Sequence, residues 1–390
     1  MNKIFKYAAM FCAVTVMIAG FTSCSDDDNN EDNGTQTAQE AALKVAESQY
    51  TNNVVIETYK GLADACESLQ GIIESMSTDA NVESACAQWK KARKFWEFSE
   101  AFLYGAASGY GIDPHIDTWP FDETVFNNHI ASFNPDDEAS VAKMEEVVAT
   151  GQNLTGFHAL EYLIFRDGAA RKIADISAKE MAYAKLVAAD LYLSSVRLQA
   201  AWAGIDNISS DRKALLEDAE MEPDANFGEY MINAGEAGSI YRTRLAAALQ
   251  IIDGCKDIAD EVAHSKIGKP NTGEDRTYIE SPNAYNSIID FYDNIMSCKH
   301  ALYGTMGNTA VDFDSSLTAP ATNSVLAYAQ IYHPSQAQDV ITKLDAALNA
   351  VKNMKSPFVL YYTDSSAKAA SDAISEFDES LSELEEVMSK

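Results

Sequence analysis

The chain has 390 residues, 47% of them apolar, which is enough for one large or two ordinary domains with real cores. Its 29 Lys and Arg stand against 59 Asp and Glu, and a net charge of -30 argues against a nucleic-acid backbone or an anionic lipid surface as partner. Gly (19) and Pro (9) are scarce, so the composition is helical and argues against disorder and all-β architecture.

The chain opens with Lys3 and Lys6, then an apolar run from Ala8 to Phe21. That run is too short to span a bilayer as a helix and has the length of a secretory core. Phe21-Thr22-Ser23-Cys24 resembles a bacterial lipobox, so residues 1–23 read as a lipoprotein signal peptide with Cys24 as the lipid-bearing residue. The bland alternative is an ordinary signal peptide with an incidental Cys. Residues 24–40 are acidic and without large aliphatics, and read as a flexible tether. Ser25-Asp26-Asp27-Asp28 resembles the surface-export tag of some Bacteroidetes lipoproteins, or is simply a solvated linker. The expected place is the bacterial cell envelope, anchored to the outer membrane through the acyl chains on Cys24, on either face.

From Ala41 onward, apolar residues at three-and-four spacing (Val54, Leu62, Cys66, Leu69, Ile73) predict a long helix, broken by Ser77-Thr78-Asp79. A second helix follows over Val82–Ala106, then an irregular stretch over 105–135. A short helix over Glu138–Ala149, the segment Phe157–Phe165 and a long helix over Ala178–Ala203 complete a first bundle, 41–206. The second bundle, 207–390, has expected helices at Gly228–Ala263, Ala284–Leu302, Asn323–Met354 and Ser366 to the end, with loops at 265–283 and 305–322. The fold class is all-α. A faint echo, Glu83-Ser84 to Gly105 and Glu280-Ser281 to Gly304, favours internal duplication over chance. Cys66, Cys86, Cys255 and Cys298 allow three disulfide pairings, of which Cys66–Cys86 and Cys255–Cys298 is the one to test, or remain buried thiols.

The segment Gly156-Phe157-His158-Ala159-Leu160-Glu161-Tyr162-Leu163-Ile164-Phe165 is apolar on every side except at His158, Glu161 and the Tyr162 hydroxyl. Three residues apart, His158 and Glu161 share one helix face. Buried there, they must be hydrogen-bonded to each other or bound to a ligand.

Gly156, His158 and Glu161 match the GxHxxE motif of the imelysin-like family, which includes proteins named as insulin-cleaving membrane peptidases, iron-regulated envelope proteins and EfeO-type iron-uptake components. Ser99-Glu100-Ala101-Phe102 with Tyr104-Gly105, Ile112-Asp113-Pro114 with Ile116-Asp117 closing on Trp119-Pro120, and Glu280-Ser281-Pro282 with Ser287 also resemble its motifs, in family order. One departure is that Ala284 or Tyr285 stands where the family often has Ser, which puts a hydroxyl role there in doubt. The resemblance implies two duplicated helical bundles with the motifs gathered at their interface. It also implies a metal site drawing on His158 and Glu161, with Glu100, Asp117 and Glu280 as further oxygen ligands. One imidazole with several carboxylates is a hard set, suited to iron, calcium or manganese, with zinc possible. Singly, each carboxylate has a solvated or capping alternative. Trp119 and Phe102 read as core, His115 is a weaker ligand candidate, and His129, His264, His300 and His333 read as surface or core.

Three functions follow. The first is a metal-binding envelope lipoprotein, iron favoured, working with other envelope transport components. The second is a zinc peptidase, for which no His-Glu-x-x-His helix exists and Glu161 is the only base in view. The third is a non-catalytic protein or glycan binder whose His158–Glu161 pair is structural.

Overall fold

The computed structural model describes residues 30–151 and 153–390, with side chains from Gln36 onward. The signal peptide, Cys24 and the export-like tag lie outside the described residues. The fold is all-α; the described residues add only a two-residue antiparallel pair, Phe165–Arg166 with Ala169–Ala170.

The first helix, Asn30–Tyr50, begins within the stretch expected to be a tether, because a helix nucleated by the apolar stripe beyond it extends backward at little cost. It runs through a π segment, Thr51–Val55, into Ile56–Glu74. The two ends of this rod have different neighbours. Asn30–Tyr50 packs on Arg244–Asp260 and Val325–Tyr332, whereas Ile56–Glu74 packs on Asp79–Glu97 and Ala178–Ala203. Thr78 caps the Asp79–Glu97 helix through the Asn81 amide (3.2 Å), and Ser177 with Glu180 forms a capping box at the start of Ala178–Ala203.

The later helices are Arg244–Asp260, Ser287–Tyr303, Val325–Tyr332, Pro334–Lys352 and Ser365–Met388. Three expectations need correction. The helix expected over Gly228–Ala263 is interrupted: Phe227–Ile232 stops, the chain reverses through Gly235 and Gly238 at positive φ, and Thr243 caps a new helix. The loop expected over 265–283 is helical as far as Thr272, because a π segment, Glu261–Gly268, carries Arg244–Asp260 onward with Val262, Ala263 and Ile267 buried. The helix expected over Asn323–Met354 breaks at His333, where Pro334 opens a fresh helix. The irregular stretch 105–135 holds three short helices, the longest Glu123–Ser132.

One apolar core runs through both groups of helices, from Leu62, Trp89 and Leu160 to Ile251, Ile295 and Leu384. At Gly254 a Cβ would fall 2.1 Å from the Ala101 carbonyl oxygen, so the Arg244–Asp260 helix can touch the Glu100–Phe102 turn only through glycine. The four described cysteines are buried and unbridged. Cys86 donates to the Ile164 carbonyl (3.4 Å), and the Cys298 thiol faces the Cys255 carbonyl (3.5 Å).

His300 is buried against Phe98 and accepts from the Gly307 amide (3.1 Å) as a neutral ring. Burial pushes its pKa down to about 3, from an ordinary 6.5. The unfolded chain therefore binds a proton between those values that the folded chain refuses, and stability falls as pH drops through that window. His300→Gln is expected to flatten the denaturation free energy between pH 6.5 and 3, removing on the order of 4 kcal/mol of acid sensitivity.

Candidate metal centre

The centre is built around Arg93, fully buried on the Asp79–Glu97 helix. Its guanidinium pairs with Asp117 through Nη1, with Glu280 through Nη2 (2.6 Å) and with Glu97, one helical turn on, through Nε; Asp290 lies 4.0 Å from Nε. Glu97 belongs to the same helix and Asp117 to the loop after Asp113–Ile116. Glu280 precedes the Ser287–Tyr303 helix, and Asp290 sits in its first turn. Lys266, on the π segment, reaches Glu280 Oε1 and Asn294 Oδ1, each at 3.2 Å. Asn294 in turn donates to Glu97, and Asn286 donates to Asp290 (2.7 Å).

The Gly156–Ile164 helix brings His158 against this cluster. Gly156 has φ +74°, and a Cβ there would fall 2.0 Å from the Ile116 carbonyl oxygen. The motif glycine therefore lets the start of the His158 helix lie directly on the backbone that carries Asp117. His158 Nε2 sits 3.2 Å from Asp117 Oδ1, whose other oxygen accepts from the Trp96 indole (2.7 Å). His158 Nδ1 faces Glu161 Oε2 (3.3 Å). Glu161 Oε1 accepts the backbone amides of Asn283 (2.7 Å) and Ala284 (2.8 Å), so residue 284 serves through its N–H and needs no hydroxyl. The Phe165–Ala170 hairpin holds that loop: Gly168 donates to the Asn283 carbonyl (2.8 Å) and Arg166 to its side chain (3.0 Å).

Four carboxylates (Glu97, Asp117, Glu280, Asp290) thus surround two permanent cations, Arg93 and Lys266. Burial and these pairings show in the proton affinities. Burial drives Glu97 well above the usual carboxylate range against the pull of Arg93, and pushes Asp290 up to about 6. Asp117 goes the other way: against the push of burial, Arg93 and His158 hold it well below that range. Burial would lower His158, but hydrogen bonds to Asp117 and Glu161 raise it to about 9.

Of the residues anticipated as ligands, Asp117, His158 and Glu280 offer donor atoms within 4.8 Å of one another. Glu161 stands behind His158 and orients it. Glu100 is buried with Lys266, Glu261, Asp117 and Asp113 as its charged neighbours, but it is not one of the three residues in that group. Ser99 donates to the Trp96 carbonyl (2.6 Å), Ser281 lies against Asp290, and Trp119 stacks edge-on to Tyr278 (4.5 Å). His115 is committed elsewhere, to Asp190 (2.8 Å). Arg93, Glu97, Lys266 and Asp290 were not anticipated; the one signal was that Arg93 shares the apolar face of its helix with Trp89 and Trp96. A cleft of about 610 Å³ opens beside the centre, lined by Trp119, Tyr278, Asp257 and Glu261, and Glu261 approaches Lys266 to 3.9 Å.

The donor set fits a metal ion. Glu280 Oε2 is buried without a hydrogen-bond partner, His158 Nε2 faces Asp117 Oδ1 alone, and Asp117 and Glu280 both also touch Arg93. An imidazole with two carboxylates is suited to a hard or borderline cation.

Residues 55–387 match the family model described as Imelysin. Over 248 residues the chain is 26% identical to the iron-regulated protein A of Synechococcus elongatus, a match that covers 63% of this chain and 60% of that protein. Two solved structures share the fold. One, from Parabacteroides distasonis and described as an iron-regulated protein A precursor, has a TM-score of 0.73 at 22% identity, covering 89% of this chain and 95% of that one. The other, an imelysin-like protein from Psychrobacter arcticum, has a TM-score of 0.55 at 13% identity, covering 89% and 93%.

Gly156→Ala is expected to cost about 3 kcal/mol or more in chemical denaturation, since it adds a backbone clash to an unfavourable φ. Gly71→Ala is the control: its Cβ meets nothing within 4 Å and it lies inside the Ile56–Glu74 helix, so it should gain about 0.5–1 kcal/mol.

Proposed function

The chain belongs to the imelysin family, and from that premise and the geometry of the buried centre we propose that it is a cell-envelope lipoprotein that binds a metal ion, iron by preference, in metal uptake or handling. The observation that carries this reading is the convergence of donor atoms from His158, Asp117 and Glu280 within 4.8 Å of one another in the core, with Glu280 Oε2 buried and without a hydrogen-bond partner. A buried carboxylate oxygen without a partner is costly, and a metal ion bound there would satisfy it. Asp117, His158 and Glu280 would hold the ion. Glu161 would fix the ring of His158, as a carboxylate behind a metal-bound imidazole commonly does.

The name of the Synechococcus relative, iron-regulated protein A, favours iron, as does the oxygen-rich donor set; zinc and calcium are the competing ions. The lipid on Cys24 would tether the protein to the outer membrane, where envelope transport components could deliver or collect the ion. A peptidase would need Glu161 as general base. Its Oε1 holds two backbone amides and its Oε2 faces His158, so neither oxygen is turned toward a water and the non-enzymatic reading is preferred.

The test is a calorimetric titration of the chelator-stripped mature protein with iron, zinc and calcium, beside variants whose fold is checked by circular dichroism. His158→Ala should abolish binding, and Glu161→Gln, which leaves the ring but loosens its support, should weaken it about 10–100-fold. A folded wild-type protein that binds none of the three ions would sink this reading.

A further inference from the structure

We propose that Arg93 is the centre's internal competitor for the metal ion. Its guanidinium holds the carboxylates while the metal is absent and shifts onto Glu97 and Asp290 when the ion enters, so that Arg93 sets the affinity. This inference rests on the metal reading above.

Both oxygens of Asp117 are already engaged. Oδ2 accepts from the indole of Trp96, which is fully buried in the core and cannot withdraw. Oδ1 accepts from Arg93 and lies 3.2 Å from His158 Nε2. Glu280 Oε1 likewise accepts from Arg93 (2.6 Å) and Lys266 (3.2 Å). An ion held by His158, Asp117 and Glu280 would therefore press against the guanidinium and share two of its carboxylates. Like charges this close in a buried site repel strongly. Arginine cannot relieve the repulsion by losing its proton, so it must move.

The structure supplies a place for it to go. Glu97, Glu280 and Asp290 form a second group with oxygens within 4.8 Å of one another. That group already contains Arg93 Nε, in contact with Glu97 and 4.0 Å from Asp290 Oδ1. Asp290 Oδ2 is buried and has no hydrogen-bond partner. A small movement toward Asp290 would trade the Asp117 contact for this free oxygen. The guanidinium lies over the Phe157 ring, 5.3 Å from its centroid, and an aromatic face gives a planar cation a smooth surface to slide on. The second carboxylate group is accordingly a berth for the guanidinium rather than a second metal site.

The experiment titrates iron(II) and zinc into the mature wild-type protein and into Arg93→Gln, Arg93→Lys and Asp290→Asn, with thermal melts of each in its metal-free and metal-bound forms. Arg93→Gln should bind about tenfold tighter or more, with a lowered metal-free melting temperature that metal restores. Arg93→Lys, which keeps the charge but loses the two-pronged bridge, should fall between it and the wild type, and answers the question if Arg93→Gln does not fold. Asp290→Asn should weaken binding, and that loss should shrink in the Arg93→Gln background, because the berth matters only when Arg93 is present. Equal or weaker binding by folded Arg93→Gln and Arg93→Lys, where the wild type binds, would overturn the proposal while leaving the metal reading intact. Binding by Arg93→Gln alone would support competition and overturn the metal reading for the natural chain, and binding by neither would overturn both.

Discussion

A guanidinium with no exposure to solvent is the constraint on which this structure turns. Arg93 cannot shed its charge, and in the core it must have carboxylates on several sides or the fold would lose several kcal/mol. Only Glu97 comes from its own helix; Asp117, Glu280 and Asp290 reach it from distant parts of the chain. Meeting that demand draws the Asp79–Glu97 helix, the loop at Asp117 and the start of the Ser287–Tyr303 helix onto one point, and so fixes how the earlier and later helices meet. Replacing such a network with apolar side chains is often neutral or stabilising. Stability therefore does not explain why this core is charged.

Much of the surrounding architecture makes sense as support for that point. Gly156 lets the His158 helix rest on the Asp117 backbone, and Gly254 lets the Arg244–Asp260 helix press on the turn that carries Glu100. The π segment Glu261–Gly268 turns Lys266 inward at a place where a regular helix would have presented a different register. Glu161 links the two sides, holding His158 from one helix and the 283–284 amides from the loop beyond Glu280.

The sequence revealed the helices well, because their apolar residues recur at helical spacing whatever the partner. It failed where local chemistry overrode that period: the reversal at Gly235 and Gly238, the fresh start at Pro334, and the continuation through Ser265 where the sequence looked like a loop. His158 and Glu161 stood out as polar residues in an otherwise apolar helix. Asp117 and Glu280 were reached through resemblance alone, since isolated carboxylates near turns carry no signal of their own. Arg93, Glu97, Lys266 and Asp290 stayed hidden because charged residues on amphipathic helices usually face water. What buries these is contact across separations as long as the 187 residues between Arg93 and Glu280, and no local pattern encodes that.

We propose that this buried nest of acids is completed by a cation held between the earlier and later helices. The most direct test is an anomalous-difference map at the iron edge, from crystals of the mature protein grown anaerobically with ferrous iron. A single strong peak is expected within about 2.0–2.3 Å of His158 Nε2 and of oxygens of Asp117 and Glu280. Crystals with no peak there, or with iron only on the acidic surface and the Arg93 network unchanged, would contradict it.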